Sequence, residues 1–171
     1  MKDKKVLFLT QAAMIAAVYV VLTTIFAAFS FGEIQVRISE ALTILPLFTP
    51  AAIPGLFVGC LVGNILGGAV LPDIIFGSIA TLIGAFGTWK LRGIRTKGHD
   101  LPLASVIPPI ASNTVIIPFV LRFGYGINAP IPFMMLTVGI GEVISCGILG
   151  LLLYGALRNY SKKIFSAAVG L

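Results

Sequence analysis

Residues 6–29 carry no charged side chain, and an apolar run of that length decides what solvent the chain folds in. A helix crosses a hydrocarbon core of about 30 Å with about 20 apolar residues, so this segment predicts a membrane span. Lys2, Lys4 and Lys5 precede it, as basic residues precede the core of a signal peptide. The run is longer than such a core, however, and the rest of the chain is just as apolar, so it is read as a retained helix. Composition agrees: 58% of residues are hydrophobic and 11% charged, against roughly 25% charged in water-soluble domains. That excludes a soluble globular enzyme, a disordered chain and a nucleic-acid-binding domain, whatever the net charge of +6 suggests. Cys60 and Cys146 both lie inside apolar runs and read as buried thiols, not as a disulfide scaffold.

The second apolar stretch, residues 38–71, is too long for one helix. Pro46, Pro50 and Pro54 divide it, because proline removes a helical donor and clashes with the preceding turn. The division predicts a short helix at 37–48 and another at 52–70. Further spans are expected at 74–91, 102–122 and 131–157, with polar connections at 90–100 and 123–130. The fold expected is therefore an all-α membrane protein of six transmembrane helices, the second one short, forming a single domain over residues 1–171.

Six spans place both termini and the 90–100 loop on one side. Of the 12 basic residues, all but Arg37 and Arg122 fall there, and the positive-inside rule makes that side cytoplasmic. The acids fall the other way. Glu33, Glu40, Asp73 and Glu142 lie in outer loops or within spans, leaving Asp3 and Asp100 inside.

In lipid, apolar burial gives helices no reason to associate, so small residues that permit close approach must supply the contact. Gly55, Gly59, Gly63 and Gly67 are each four apart and line one face of the third helix. Ala12 with Ala16, and Ala13 with Ala17, form a comparable pair of motifs on the first.

An ionised group inside a span costs about 2.5–3.5 kcal/mol even on lenient insertion scales, so its default reading is functional. Glu142 lies well within the sixth span beside Gly139, Ser145 and Cys146. It contacts a ligand or pairs with Arg122. Arg37 and Glu40, three apart at the start of the short helix, either pair with one another or face a ligand together with Ser39 and Thr43. Asn64 and Asn113 lie at the depth of Glu142 and read as interhelical hydrogen bonds or as a shared cavity lining. Asp73 follows Pro72 and reads as a helix N-cap or as a ligand contact. Phe29, Phe31, Glu33 and Gln35 in the first outer loop, and Tyr125 and Asn128 in the last, are placed to close over a planar ring. His99 stands alone in a loop, and no phosphate-binding loop, zinc motif or hydrolase motif occurs. No enzyme chemistry, metal or cofactor is expected.

The run IQVRISEALTILPLFTPAAIPGLFVGCLVGN, residues 34–64 with its leading Ile34, resembles the queuosine-precursor (QueT-type) substrate-binding subunits. These are S components of energy-coupling-factor transporters. The six-span layout extends the resemblance over essentially the whole chain. It implies a bacterial plasma-membrane protein that holds substrate near its outer face, under loops at about 29–36, 68–73 and 123–130. The implied partners are a transmembrane coupling subunit and two ATPases, docked through small residues of the first helix, here Ala12, Ala13, Ala16 and Ala17. The implied substrate is a 7-deazaguanine such as 7-aminomethyl-7-deazaguanine. Its guanine-like edge offers N–H donors to one carboxylate, its keto oxygen needs a donor, and its aminomethyl cation needs a second carboxylate. The residues suited to it are Glu40 and Glu142, with Asn64, Asn113, Gln35, Arg37, Asp73, Tyr125 and Phe31 around them. Another cationic vitamin such as thiamine, or a stand-alone secondary carrier using the same intramembrane acids, are the competing readings.

Overall fold

The computed structural model describes residues 2–26, 36–94 and 101–165, which are helices and their connections, with no strand among them. Helix α1 runs Lys2–Ile25, α2 Ile38–Leu47, α3 Ala52–Leu66 and α4 Leu71–Lys90. Helix α5 runs Leu103–Phe123 and α6 Ile131–Leu157, followed by the short α7, Ser161–Phe165. Four helices (α1, α4, α5 and α6) are long and apolar enough to cross a bilayer. Large apolar side chains point out from them, Leu9 70% and Phe123 77% exposed, as suits lipid and not water. Phe29, Phe31, Glu33, Gln35 and His99, singled out by sequence, lie outside the described residues.

Proline sets several boundaries. Pro72 and Pro132 sit in the first turns of α4 and α6, where the missing N–H would have had no partner anyway; Pro108 stands where α5 passes from its 3₁₀ start to regular α-helix. Helix α3 stops at Leu66 instead of continuing to residue 70, because Gly67 and then Gly68, with φ of 73°, turn the chain back. That backbone conformation is open to glycine at no steric cost.

Besides the 3₁₀ first turn of α5, Leu103–Val106, two longer windings depart from the regular helices expected. Helix α2 is 3₁₀ throughout its 10 residues, with Pro46 inside it and the Thr43 hydroxyl donating to the Glu40 carbonyl at 2.6 Å. A 3₁₀ helix rises about 2.0 Å per residue, so this short segment reaches about 20 Å through the centre of the bundle. Residues 39–46 of it are all buried. At about 1.5 Å per residue, the 15 residues of α3 span only about 22 Å, and both helices fall short of full membrane thickness. Within α6, Val143–Leu149 winds as a π-helix.

The glycine stripe of α3 lies along α1. A Cβ on Gly55 would stand 2.7 Å from the Ala12 carbonyl oxygen, and one on Gly59 2.8 Å from Tyr19 Cβ, so the two helices meet through backbone. Helices α4 and α5 run antiparallel, with Gly84 against Pro109. Hydroxyls tie the same pair together: Ser112 donates to the Ala80 carbonyl at 2.9 Å and Thr88 to that of Ser105 at 2.8 Å. The starts of α1 and α5 and the ends of α4 and α6 therefore share one end of the bundle. Lys4, Lys5, Lys90, Arg92 and Arg158 make this its basic end. Asp73 and Tyr125 lie toward the other.

Candidate functional site

In a 3₁₀ helix residues three apart eclipse one another, so Glu40 and Thr43 share one ridge of α2, and Arg37 stands on the extended residue just before it. That ridge carries charge into the middle of the bundle, where two polar clusters form around it.

The first is an ion pair away from the basic end. Arg37 Nη2 lies 3.0 and 2.9 Å from the two Asp73 carboxylate oxygens, with both side chains buried. The Tyr125 hydroxyl donates to Asp73 Oδ2 at 2.9 Å, and the Asn64 amide donates to the Asp73 main-chain carbonyl at 3.2 Å. Burial and then the Asp73 carboxylate push the Tyr125 phenol up to about 12, so it remains a donor. The cluster joins α2, α3, α4 and the α5–α6 loop.

The second cluster lies deeper and is acidic. Glu40 is 0% exposed. Its Oε1 accepts from the Tyr19 hydroxyl and from Thr81 Oγ1, the latter at 2.8 Å, while its Oε2 has no hydrogen-bond partner. Glu142, also buried, accepts from the Cys146 thiol at 3.1 Å. A carboxylate oxygen of each acid and the Cys146 sulfur all lie within 4.8 Å of one another. Asn113 faces Glu142, and its Nδ2, like Ser145 Oγ, is buried without a partner. Two ionised carboxylates this close repel by at least about 3 kcal/mol at an effective dielectric of about 20. A cation between them, whether organic ammonium or metal, removes that repulsion and satisfies the open oxygen.

The structure thus brings together Glu40, Glu142 and Asn113, and separately Arg37, Asp73, Asn64 and Tyr125. Several expected pairings are corrected. Arg37 forms its ion pair with Asp73, since α2 and α4 run side by side and Arg37, on extended backbone just before α2, reaches across to α4. Asp73 is not an N-cap: α4 has no side-chain cap, and the carboxylate serves Arg37 and Tyr125 instead. Asn64, on α3, donates to the Asp73 carbonyl on α4, an interhelical hydrogen bond as one of its two readings had it. Arg122 donates to the Ile127 carbonyl at 3.3 Å and to Asn128 Oδ1 at 3.2 Å, closing its own loop. On α1, Ala12 and Ala16 pack against Gly55 and Gly59, and only Ala13 and Ala17 point outward. The sequence points to Cys146 only as a small neighbour of Glu142, four residues on, and gives no sign that Tyr19 and Thr81 join the acidic cluster.

The family described as QueT transporter matches residues 9–159 of this chain. Among curated proteins, the queuosine precursor transporter QueT of Lactococcus lactis subsp. cremoris (strain MG1363) is 35% identical over 85 residues. That match covers 48% of this chain and 50% of the relative, so it spans about half the length of each. No solved structure matches the chain.

Proposed function

The chain belongs to the QueT transporter family, and from that footing we propose that it is the substrate-binding S component of an ATP-driven energy-coupling-factor importer. It is a multi-pass membrane protein whose substrate, on this reading, is a queuosine precursor of the 7-deazaguanine class, such as 7-aminomethyl-7-deazaguanine. The carrying observation is the pair of buried acids, with reactive atoms within 4.8 Å and one open oxygen on Glu40. A flat ligand with an N–H edge and an ammonium arm gives each carboxylate a charge-assisted partner. The Asn113 amide is the unpartnered donor beside them, suited to the keto oxygen. The Arg37–Asp73–Tyr125 cluster holds the α5–α6 loop near the site and does not itself meet substrate.

The six spans, the cytoplasmic termini and the bacterial plasma membrane belong to the same reading. So does docking on a coupling subunit with two ATPases, for which Ala13 and Ala17 offer the outward small-residue face of α1. The chain contributes capture and reorientation, and energy comes from ATP hydrolysed on its partners.

The test is equilibrium binding of radiolabelled 7-aminomethyl-7-deazaguanine to the purified chain alone, with competition by unlabelled deazapurines and thiamine. Saturable binding displaced by deazapurines supports the proposal. Displacement by thiamine alone assigns another cationic vitamin. Uptake into liposomes without any ATPase would make the chain a stand-alone carrier.

A further inference from the structure

A cleft of about 260 Å³ opens at the basic end, lined by Leu47, Phe48, Arg92, Pro102, Tyr154 and Arg158 among others. It differs in kind from the hollow between α4 and α5, about 440 Å³ and walled by apolar side chains that face outward. Here Arg92 and Arg158 both line the cleft beside an aromatic stack, the Phe48 and Tyr154 rings at 5.4 Å. Arg92 is positioned by Trp89, its guanidinium 4.7 Å from the ring centroid, which leaves its N–H edges free to point elsewhere. Among the described residues no carboxylate lines the cleft or pairs with either arginine.

Two arginines sharing one concave site, with no carboxylate partner among the described residues, call for a multivalent anion, and the planar N–H fork of arginine matches the oxygens of a phosphate group. The setting points to a lipid source. Trp89 stands beside the cleft, as tryptophan does at membrane–water interfaces. Leu101 and Leu103, on either side of Pro102, are exposed where acyl chains would lie. We propose that this cleft binds the phosphate of an acidic phospholipid headgroup, at a site separate from Glu40 and Glu142. Basic pockets between membrane helices recognise such headgroups, each arginine contributing modestly near an anionic surface.

The experiment places the full chain in nanodiscs of phosphatidylcholine containing a minority of phosphatidylglycerol, then measures phosphatidylglycerol retained per chain by native mass spectrometry. The Arg92→Gln/Arg158→Gln double variant is expected to retain it about 30-fold more weakly. Lys4→Gln/Lys5→Gln, which removes equal charge from the same end but no group lining the cleft, should weaken retention clearly less. The unfolding temperature reports whether each variant is folded, and the single arginine variants serve if the double one is not. Equal retention in the arginine and lysine variants overturns the site. Thermal stabilisation by inorganic phosphate alone, with no selective lipid retention, overturns the lipid assignment.

Discussion

Arg37 and Asp73 neutralise one another out of reach of water, so deleting one leaves an uncompensated buried charge. Arg37→Ala or Asp73→Ala should each lower stability by about 3–5 kcal/mol, whereas Arg37→Leu combined with Asp73→Leu should cost clearly less than the sum of the single changes. Thermal unfolding in detergent reads both. Tyr125→Phe removes one hydrogen bond to this pair and, at a half-buried site, should cost about 1 kcal/mol. Its pH dependence has a fixed sign. The fold raises the phenol from near 10 to about 12, so the protonated form is favoured in the native state. The wild-type advantage over Tyr125→Phe is full below pH 10 and disappears as the pH rises through 12; an advantage that grew across that window would refute the bond. At this scale the sequence displayed the intramembrane charges but not their pairing. Arg37 is three residues from Glu40 and far along the chain from Asp73, and only the tertiary path of α2 beside α4 selects the distant partner.

At the scale of helices, close approach of α1 and α3 requires the glycines of α3 to remain bare. Gly55→Ala puts a methyl 2.7 Å from a backbone oxygen, which cannot rotate away, and should cost about 1–3 kcal/mol. Gly59→Ala presses instead on Tyr19, the residue that donates to Glu40, so it should weaken ligand binding as well as stability. Gly147→Ala, with its nearest atoms at 3.8 Å, is the control expected to change neither. Unfolding temperatures and ligand titrations of the three variants check this ordering. The four-residue glycine spacing announced a packing face in the sequence, though not which helix would occupy it. The windings were hidden for a different reason. Proline marks where a helix is interrupted, but an apolar run looks the same whether it becomes α, 3₁₀ or π. The ridge that aligns Glu40 and Thr43, and the π turn beside Glu142, therefore had no local signature.

For the molecule as a whole, the asymmetry of basic residues predicts which ends face the cytoplasm. Asn159→Cys should resist a membrane-impermeant maleimide in intact cells while Asn128→Cys reacts; the reverse pattern would invert the topology. The native thiols do not interfere, since Cys60 and Cys146 are both buried. What unites the scales is a bundle that keeps two acids near one another with one oxygen left open. The decisive measurement is the affinity for 7-aminomethyl-7-deazaguanine of wild type, Glu40→Gln and Glu142→Gln, each confirmed folded by its unfolding temperature. Loss of one buried charge partner predicts binding weakened at least about 30-fold in both variants. Unchanged affinity in both would contradict the account.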